Sequence, residues 1–236
     1  MPVTVFTNFT EKDKTTAVDR LISGSTPSQD FFLMVVLSVL TACFGLLTNS
    51  STVIVGSMLI APLLYPILSL SLGVIMADYS VISRSFWTLT KSLLLGVSAS
   101  FLASLVFTTQ FSDITSEIAS RAQPSLISLM VAIIAGFAAS FALVKPQLNE
   151  TLPGIAISVS IIPPIAVIGI GIAEFNWSLI SGSFLLFLVN AIGIVFASMI
   201  TFSLMNFYSQ KREARKTIAM EERKIESDKR KAEKKS

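Results

Sequence analysis

Histidine is absent from this 236-residue sequence, cysteine occurs once, and charged residues make up only 14% of the chain. Histidine is the commonest metal ligand and general base, so its absence removes the side chain on which most metal sites and acid–base catalysts are built. The lone Cys43 excludes an intrachain disulfide. The apolar runs hold neither paired carboxylates nor a nucleophile beside a base. The sequence therefore predicts no enzyme, no metal and no cofactor.

The low charge accompanies long apolar runs. Ordinary soluble domains carry roughly 25% charged residues, whereas this chain is 52% hydrophobic with a mean hydropathy of +0.72. Several runs exceed the roughly 18 residues that indicate a transmembrane helix. We therefore expect an all-α membrane protein embedded in a lipid bilayer. Its six predicted transmembrane helices cover residues 31–47, 53–77, 86–108, 125–144, 152–174 and 178–207.

Basic residues fall almost entirely on one side of these six spans. Both termini lie on the side that holds seventeen Lys and Arg residues, and only Arg121 lies on the other. Cytoplasmic loops carry the excess of Lys and Arg, so we expect a multi-pass protein of the inner (cytoplasmic) membrane with both termini in the cytoplasm. Asp113, Glu117 and Arg121 then belong to an outer loop.

Glycine and proline positions repeat between the two halves of the chain. The matched pairs lie 98 residues apart: Gly56 with Gly154, Pro66 with Pro164, and Gly73 with Gly171. Three spans per half is an odd number, so the second copy must enter the membrane from the opposite side. The sequence predicts two inverted three-helix repeats, in which helices 2 and 5 are interrupted by proline.

Four segments follow from this organisation. Residues 1–29 form a cytoplasmic N-terminal segment, residues 30–108 the first membrane repeat, and residues 125–208 the second. Residues 209–236 form a charged, helical, cytoplasmic tail with eleven basic residues among 211–236. The tail is either a solvated extension of the last span or a surface held against anionic lipid. It has no nucleic-acid-binding motif, so no nucleic-acid partner is expected.

Paired prolines lie inside spans 2 and 5, at Pro62 and Pro66 and at Pro163 and Pro164. Proline in a helix interior costs about 3 kcal/mol or more, and non-helical backbone survives at membrane depth only inside protein or beside a wet cavity. Interrupted helices at matching positions of inverted repeats are typical of a transporter site near the midplane. The alternative is a kink that only improves packing.

Polar side chains accompany these interruptions. Asn190 lies in the middle of span 6, where an amide needs a partner; a freed carbonyl of span 5 and a solute pathway are the two alternatives. Asp78 and Glu174 end spans 2 and 5, either as pathway mouths or as ordinary interfacial charges. The predicted pathway comprises Asn49, Ser57, Pro62, Pro66, Ser160, Pro163, Pro164 and Asn190.

Two stretches carry a resemblance to a known family: "NSSTVIVGSMLIAPLLYPILSLSLGVIMAD" (49–78) and "LPGIAISVSIIPPIAVIGIGIA" (152–173). The chain resembles the prokaryotic family of hydrophobic membrane proteins called domain of unknown function 389. The positions that carry the match are Asn49, Gly56, Met58, Pro62, Pro66, Pro153, Gly154, Pro163 and Pro164. The resemblance implies no substrate.

Two functions of different class follow. The favoured one is a transporter or channel for a small solute or ion, with its site at the broken helices. The other is a non-transporting scaffold or lipid-interacting protein that uses its basic tail. Small-residue faces at Gly96/Ser100/Ala103 and Gly193/Ala197 also predict a homo-oligomer, because such faces let membrane helices approach closely.

Overall fold

The computed structural model describes residues 10–107, 114–145, 148 and 160–233, and these ranges contain helices and turns but no strand. The all-α prediction is therefore confirmed. The helices are α1 (Glu11–Gly24), α2 (Gln29–Leu47), α3 (Ser51–Ile60), α4 (Leu64–Ile75), α5 (Tyr79–Phe107), α6 (Ser116–Ser120), α7 (Leu126–Val144), α8 (Ile162–Ala173), α9 (Trp177–Leu204) and α10 (Lys211–Glu233), with a 3₁₀ turn at Phe207–Gln210.

Polar residues placed before the apolar runs set where the long helices begin. The Ser28 hydroxyl accepts the Phe31 N–H, and Ser125 and Asn176 cap α7 and α9 in the same way. Each cap satisfies a backbone donor that has no partner within the helix. Thr10 forms a capping box with Asp13 at the start of α1.

Four helices, α2, α5, α7 and α9, are each long and apolar enough to cross a bilayer. A fifth crossing is available if α3 and α4, which meet at 52°, form one bent span. Their outward surfaces carry large exposed apolar side chains, among them Leu33, Leu94, Leu102, Ile134 and Ile192. Of the predicted span 5, the structure describes Ser160 onward, where α8 has 12 residues; residues 149–159 lie outside the described ranges.

The four prolines of the predicted interruptions lie at, or just before, the starts of α4 and α8. Pro62 falls in the break between α3 and α4, and Pro66 lies in the first turn of α4. Pro163 and Pro164 lie in the first turn of α8. First-turn N–H groups have no partner within a helix, so proline there removes no intrahelical hydrogen bond. An interruption of span 5 itself would fall on residues outside the described ranges and stays a prediction.

Three tight turns share one geometry. Asn49, Ala77 and Phe175 have φ values of 53°, 47° and 50°, in the left-handed region. In each turn the next N–H bonds to a glycine carbonyl five residues back, that of Gly45, Gly73 or Gly171. A Cβ on Gly73 would come within 3.0 Å of the Ile82 nitrogen, and one on Gly171 within 3.2 Å of the Ile180 nitrogen. Glycine is therefore favoured at these positions, because a Cβ would press on the start of the following helix.

In the core, helices from the first half of the chain pack against helices from the second half. Helix α5 packs on α8, and α9 packs on α4 as well as on α7 and α8. The approach of α5 to α8 is close at Gly169, where a Cβ would lie 2.6 Å from the Ser100 Cβ and 2.7 Å from the Phe101 nitrogen. The Ser100 hydroxyl also donates to the Ala166 carbonyl at 2.7 Å.

The predicted oligomerisation faces are buried within the chain. A Cβ on Gly96 would lie 2.9 Å from Ile165, and one on Gly193 would lie 2.9 Å from Ala132. Ser100 and Ala197 are fully buried. These small residues let the chain's own helices approach closely. A homo-oligomer therefore stays a prediction and needs other surfaces.

The last span ends before the tail begins, so the tail is not the continuous extension of that span that was one of its two predicted forms. Asn206 is left-handed at φ 58°, and this turn ends α9. The fully buried Phe207 then packs on Phe202 at 5.2 Å between ring centroids. Beyond it, α10 folds back onto α1. We call the end of the bundle with α1, α10 and the Ala77–Asp78 turn the terminal end, and the end with Asn49 and α6 the loop end.

Candidate functional site

A chain of polar contacts runs from the loop end into the middle of the bundle. It joins Ser51, Glu117, Arg121, Ser160 and Asn190 in that order. Ser51 donates to Glu117 Oε1, and the Arg121 guanidinium lies 3.3 Å from Glu117 Oε2 and donates to Ser160 Oγ at 3.1 Å. Asn190 Nδ2 donates to the Ser160 carbonyl at 2.8 Å. Ser160 and Asn190, which were predicted separately, are thus in direct contact.

Asn49 joins this chain at its outer end. Its left-handed backbone ends α2, and its side-chain oxygen accepts from the Ser116 hydroxyl at 3.0 Å and from the Glu117 N–H at 3.1 Å. The nearby Thr115 hydroxyl donates to the Leu46 carbonyl at 2.7 Å. Asn49 therefore fixes α6 against the turn between α2 and α3, and so fixes the position of Glu117.

Glu117 and Arg121 form a partly buried ion pair, with side chains 18% and 27% exposed. The hydrogen bond from Ser51 lowers the pKa of the Glu117 carboxyl; burial opposes this, and Arg121 adds to the lowering. The Arg121 Nε is buried with no hydrogen-bond partner in the structure described. A donor left in this state is available to a ligand or to water.

Asn190 lies deep in the bundle. It follows Trp177 by thirteen residues, or about 20 Å along α9 at 1.5 Å per residue, and its side chain is only 3% exposed. Gly182, nearer the start of α9, packs directly on the Ala122 carbonyl. The segment after α6 therefore touches α9, and Arg121 reaches inward from there. Of the two alternatives for Asn190, the structure gives it a carbonyl partner in the predicted span 5.

Glu117 and Arg121 were missed as site residues. Sequence reasoning placed them on an outer loop, outside the predicted pathway. Two signals pointed to them: Arg121 is the only basic residue on its side of the predicted membrane, and its spacing from Glu117 is the four residues that bring side chains together on one helical face.

The other predicted pathway residues lie outside this polar chain. Ser57 is fully buried, its hydroxyl donates to the Ile54 carbonyl, and its own carbonyl accepts from Ser38 at 2.6 Å. This bond attaches α2 to α3 just before the break. Pro66, Pro163 and Pro164 are buried, and Pro62 is half-buried. Within the described ranges, no three His, Cys, Asp or Glu side chains lie together as a metal would need.

Comparison with known proteins identifies the family. The family model "Domain of unknown function (DUF389)" matches residues 58–196, which is more than half of the chain and includes Arg121, Ser160 and Asn190. The chain belongs to the DUF389 family. The resemblance noted in the sequence is thereby confirmed.

An uncharacterized protein of Methanocaldococcus jannaschii is 31% identical over 180 residues, which is 75% of this chain and 54% of that protein. The chain therefore spans about half the length of the curated relative it matches. No solved structure matches it significantly.

Asp78 and Glu174 of the DUF389 chain have different environments. Asp78 is fully buried at the terminal end, with Arg215 Nε 2.6 Å from its Oδ2. Glu174 is exposed after α8. The residue that matches Asp78 in the second half is Asn176: both precede a long helix and accept a backbone N–H from its first turn, Asp78 from Ser80 and Asn176 from Leu179.

A separate groove of about 640 Å³ lies between α5 and α9, with Ile67 and Leu70 of α4 among its lining residues. Its lining is apolar except for Thr90, whose hydroxyl donates to the Phe86 carbonyl of its own helix. The groove therefore offers no free hydrogen-bonding group to a polar solute, and we assign the candidate site to the polar chain instead.

Proposed function

We propose that this DUF389 protein is an integral inner-membrane protein that transports a small solute or ion past the break between α3 and α4 and the start of α8. The observation that supports this most is the polar chain from Ser51 to Asn190. Buried polar groups in an apolar bundle are costly, and ionisable groups that reach membrane depth mark solute and ion pathways. Arg121, with its unpaired Nε, is the residue we expect a solute to meet.

The proposed architecture is a pair of inverted repeats. Helices α2, α4 and α5 have 19, 12 and 29 residues, and α7, α8 and α9, which begin 97, 98 and 98 positions later, have 19, 12 and 28. The left-handed residues Ala77 and Phe175 also lie 98 positions apart. In such repeats a site near the midplane is formed by half-helices from both copies.

The proposed orientation places the terminal end in the cytoplasm. Seventeen of the eighteen basic residues fall on that side of the six-span arrangement, and the charge bias of short loops sets orientation. The loop end, with Asn49 and α6, then faces outward, so a solute entering from outside reaches Glu117 and Arg121 before Asn190.

Solute flux into proteoliposomes tests this function. We expect wild-type protein to raise the uptake of at least one member of a panel of inorganic ions and small polar solutes above that of empty vesicles. Asn190→Leu and Arg121→Gln should reduce that uptake roughly tenfold or more, as expected when a buried polar contact worth more than about 1.4 kcal/mol is lost. Ser98→Ala is the matched control, because within the described ranges the exposed Ser98 hydroxyl bonds only to the Leu94 carbonyl of its own helix. If wild-type uptake equals that of empty vesicles for every solute, the transport proposal is wrong.

A second candidate is a non-transporting, lipid-interacting protein. It is supported by the groove between α5 and α9, whose apolar lining suits hydrocarbon rather than a hydrated solute. In this case the basic tail would bind anionic lipid. Vesicle co-sedimentation with and without anionic lipid separates the two functions, since only the second requires binding to rise with anionic content while flux stays at background.

A further inference from the structure

Helix α10 contacts the turn that joins α4 to α5. Arg215 Nε lies 2.6 Å from Asp78 Oδ2, and Lys211 Nζ donates to the Ala77 carbonyl at 2.7 Å. Asp78 has no exposed surface, although it lies in a turn at the end of the bundle. An aspartate is seldom fully buried unless it is paired, and here its pair comes from a helix 137 residues away in sequence.

The same helix packs on α1. Ala214 and Ile218 of α10 belong to one buried apolar cluster with Val18 and Leu21 of α1. Polar contacts surround this patch: Thr217 donates to Asp19, Gln210 donates to Glu11 at 2.6 Å, and Ser23 donates to Glu221 at 3.2 Å. Together, α1 and α10 cover the terminal end beside Asp78.

This contact is small enough to be reversible. Only Ala214, Thr217 and Ile218 are buried among the described side chains of α10, which extend to residue 228. The Arg215 side chain is 60% exposed, so its attraction to Asp78 is weakened by solvent and salt. The left-handed Asn206 and the 3₁₀ turn separate α10 from α9, so α10 can leave without unwinding α9.

We propose that α10 is a detachable strap, held by Arg215 over the Asp78 turn, and that its release uncovers the Asp78 carboxylate. In the docked state Asp78 is neutralised and inaccessible. In the released state the terminal end presents an unpaired carboxylate beside the ends of α4 and α5, which attracts cations. The effect of this release on a solute rests on the transport function proposed above. The docking and release of α10 do not depend on that function.

Carbodiimide labelling with an amine nucleophile tests the strap in the full-length protein in lipid nanodiscs, with the modification of Asp78 measured by peptide mass spectrometry. Asp78 of the wild-type protein should label slowly. Arg215→Gln should raise its labelling rate at least about fivefold, because one partner of the pair is lost, and high salt should raise it in the wild-type protein. Lys216→Gln is the control, since Lys216 is 66% exposed and, among the described residues, pairs only with Glu213 of its own helix; its labelling rate for Asp78 should match wild type.

Hydrogen exchange on the same variants distinguishes local release from general loosening. With Arg215→Gln, exchange should rise in α10 and stay unchanged in α9, and the buried Cys43 should stay unreactive to maleimide. Equal Asp78 labelling in wild type and Arg215→Gln would overturn the strap. So would an equal rise with Lys216→Gln, or faster exchange throughout α9. A failed flux assay with this labelling pattern intact would reject transport alone.

Discussion

The side-chain amide of Asn190 in α9 donates a 2.8 Å hydrogen bond to the carbonyl of Ser160, which lies just before α8. The bond joins the middle of a long apolar helix to the start of a short one, and it continues outward through Ser160 to Arg121. A mutation at any of these residues should therefore affect both the position of α8 and the charge distribution at the loop end.

Replacing Asn190 by Leu leaves the Ser160 carbonyl without its donor in an apolar setting. We expect the free energy of unfolding to fall by about 1–3 kcal/mol, the cost of an unsatisfied buried polar group. Denaturation in detergent micelles measures it, with Ser98→Ala as the exposed control. A loss below about 0.5 kcal/mol would show that another donor replaces the amide.

The Glu117–Arg121 pair should couple energetically. Each single change to Gln leaves one partly buried charge uncompensated, and we expect a loss of about 1–2 kcal/mol, below the range for fully buried pairs because the two side chains are 18% and 27% exposed. The double change should cost less than the sum of the two single changes. A double-mutant cycle measures this coupling, and strict additivity would contradict it.

Gly169 and Gly56 offer a matched pair of glycine substitutions. Ala at 169 brings a Cβ to 2.7 Å from the Phe101 nitrogen and the Val97 oxygen, both backbone atoms, so α5 and α8 must separate. We expect a loss of about 1–3 kcal/mol. Ala at 56 meets no atom of the described residues within 4 Å and should gain up to about 1 kcal/mol from helix propensity. Thermal unfolding of both variants checks the sign, and equal effects would refute the close approach.

Docking of α10 should be lost in acid. Burial raises the pKa of Asp78, but hydrogen bonds from Arg215 and from backbone N–H groups, with the Arg215 charge, outweigh it and lower the pKa overall. The other charged groups around this contact are Lys211, Glu221 and Glu222 of α10, Glu11 and Asp19 of α1, and Arg84 of α5. Because the pKa of Asp78 is lower in the docked state, its ionised carboxylate stabilises docking at pH values above the ordinary aspartate pKa of about 3.9. This contribution to docking is lost as the pH falls through the lowered pKa of the docked state.

Hydrogen exchange in α10 measures this acid effect. Exchange, corrected for its intrinsic pH dependence, should be constant from about pH 7 to pH 5 and should accelerate below about pH 4. Asp78→Asn should already exchange fast at neutral pH and should lose most of the acid step. An acid step of unchanged size in Asp78→Asn would assign it to another carboxylate of this contact, such as Glu11, Asp19 or Glu221.

The sequence predicted what depends on local pattern. The apolar runs located α2, α5, α7 and α9, and a carbonyl of span 5, the partner that Asn190 has at Ser160, was one of the two alternatives predicted for this mid-helix amide. What it missed depends on contacts between distant segments. Charges near helix ends usually face solvent, so Glu117 and Arg121 were read as loop residues.

The tail illustrates the same limit. A basic, polar stretch after an apolar helix has the composition of a solvated extension, and its amphipathic face, with Ala214 and Ile218, is short. Whether such a helix continues outward or turns back depends on the backbone at Asn206 and on Asp78, which is more than 130 positions away in the chain. No local pattern carries that information.

The left-handed turns at Ala77 and Phe175 have a mechanical consequence. Each is closed by backbone hydrogen bonds and by a glycine packed against the following helix, so we expect α4–α5 and α8–α9 to be stiff hairpins. The break at Ala61–Leu63 has no side-chain cap on α4 and an extended residue at Ala61. We therefore expect any motion between the first hairpin and the α2–α3 pair to have its hinge at Pro62, so that the Ala77–Asp78 turn is displaced together with α4 and α5.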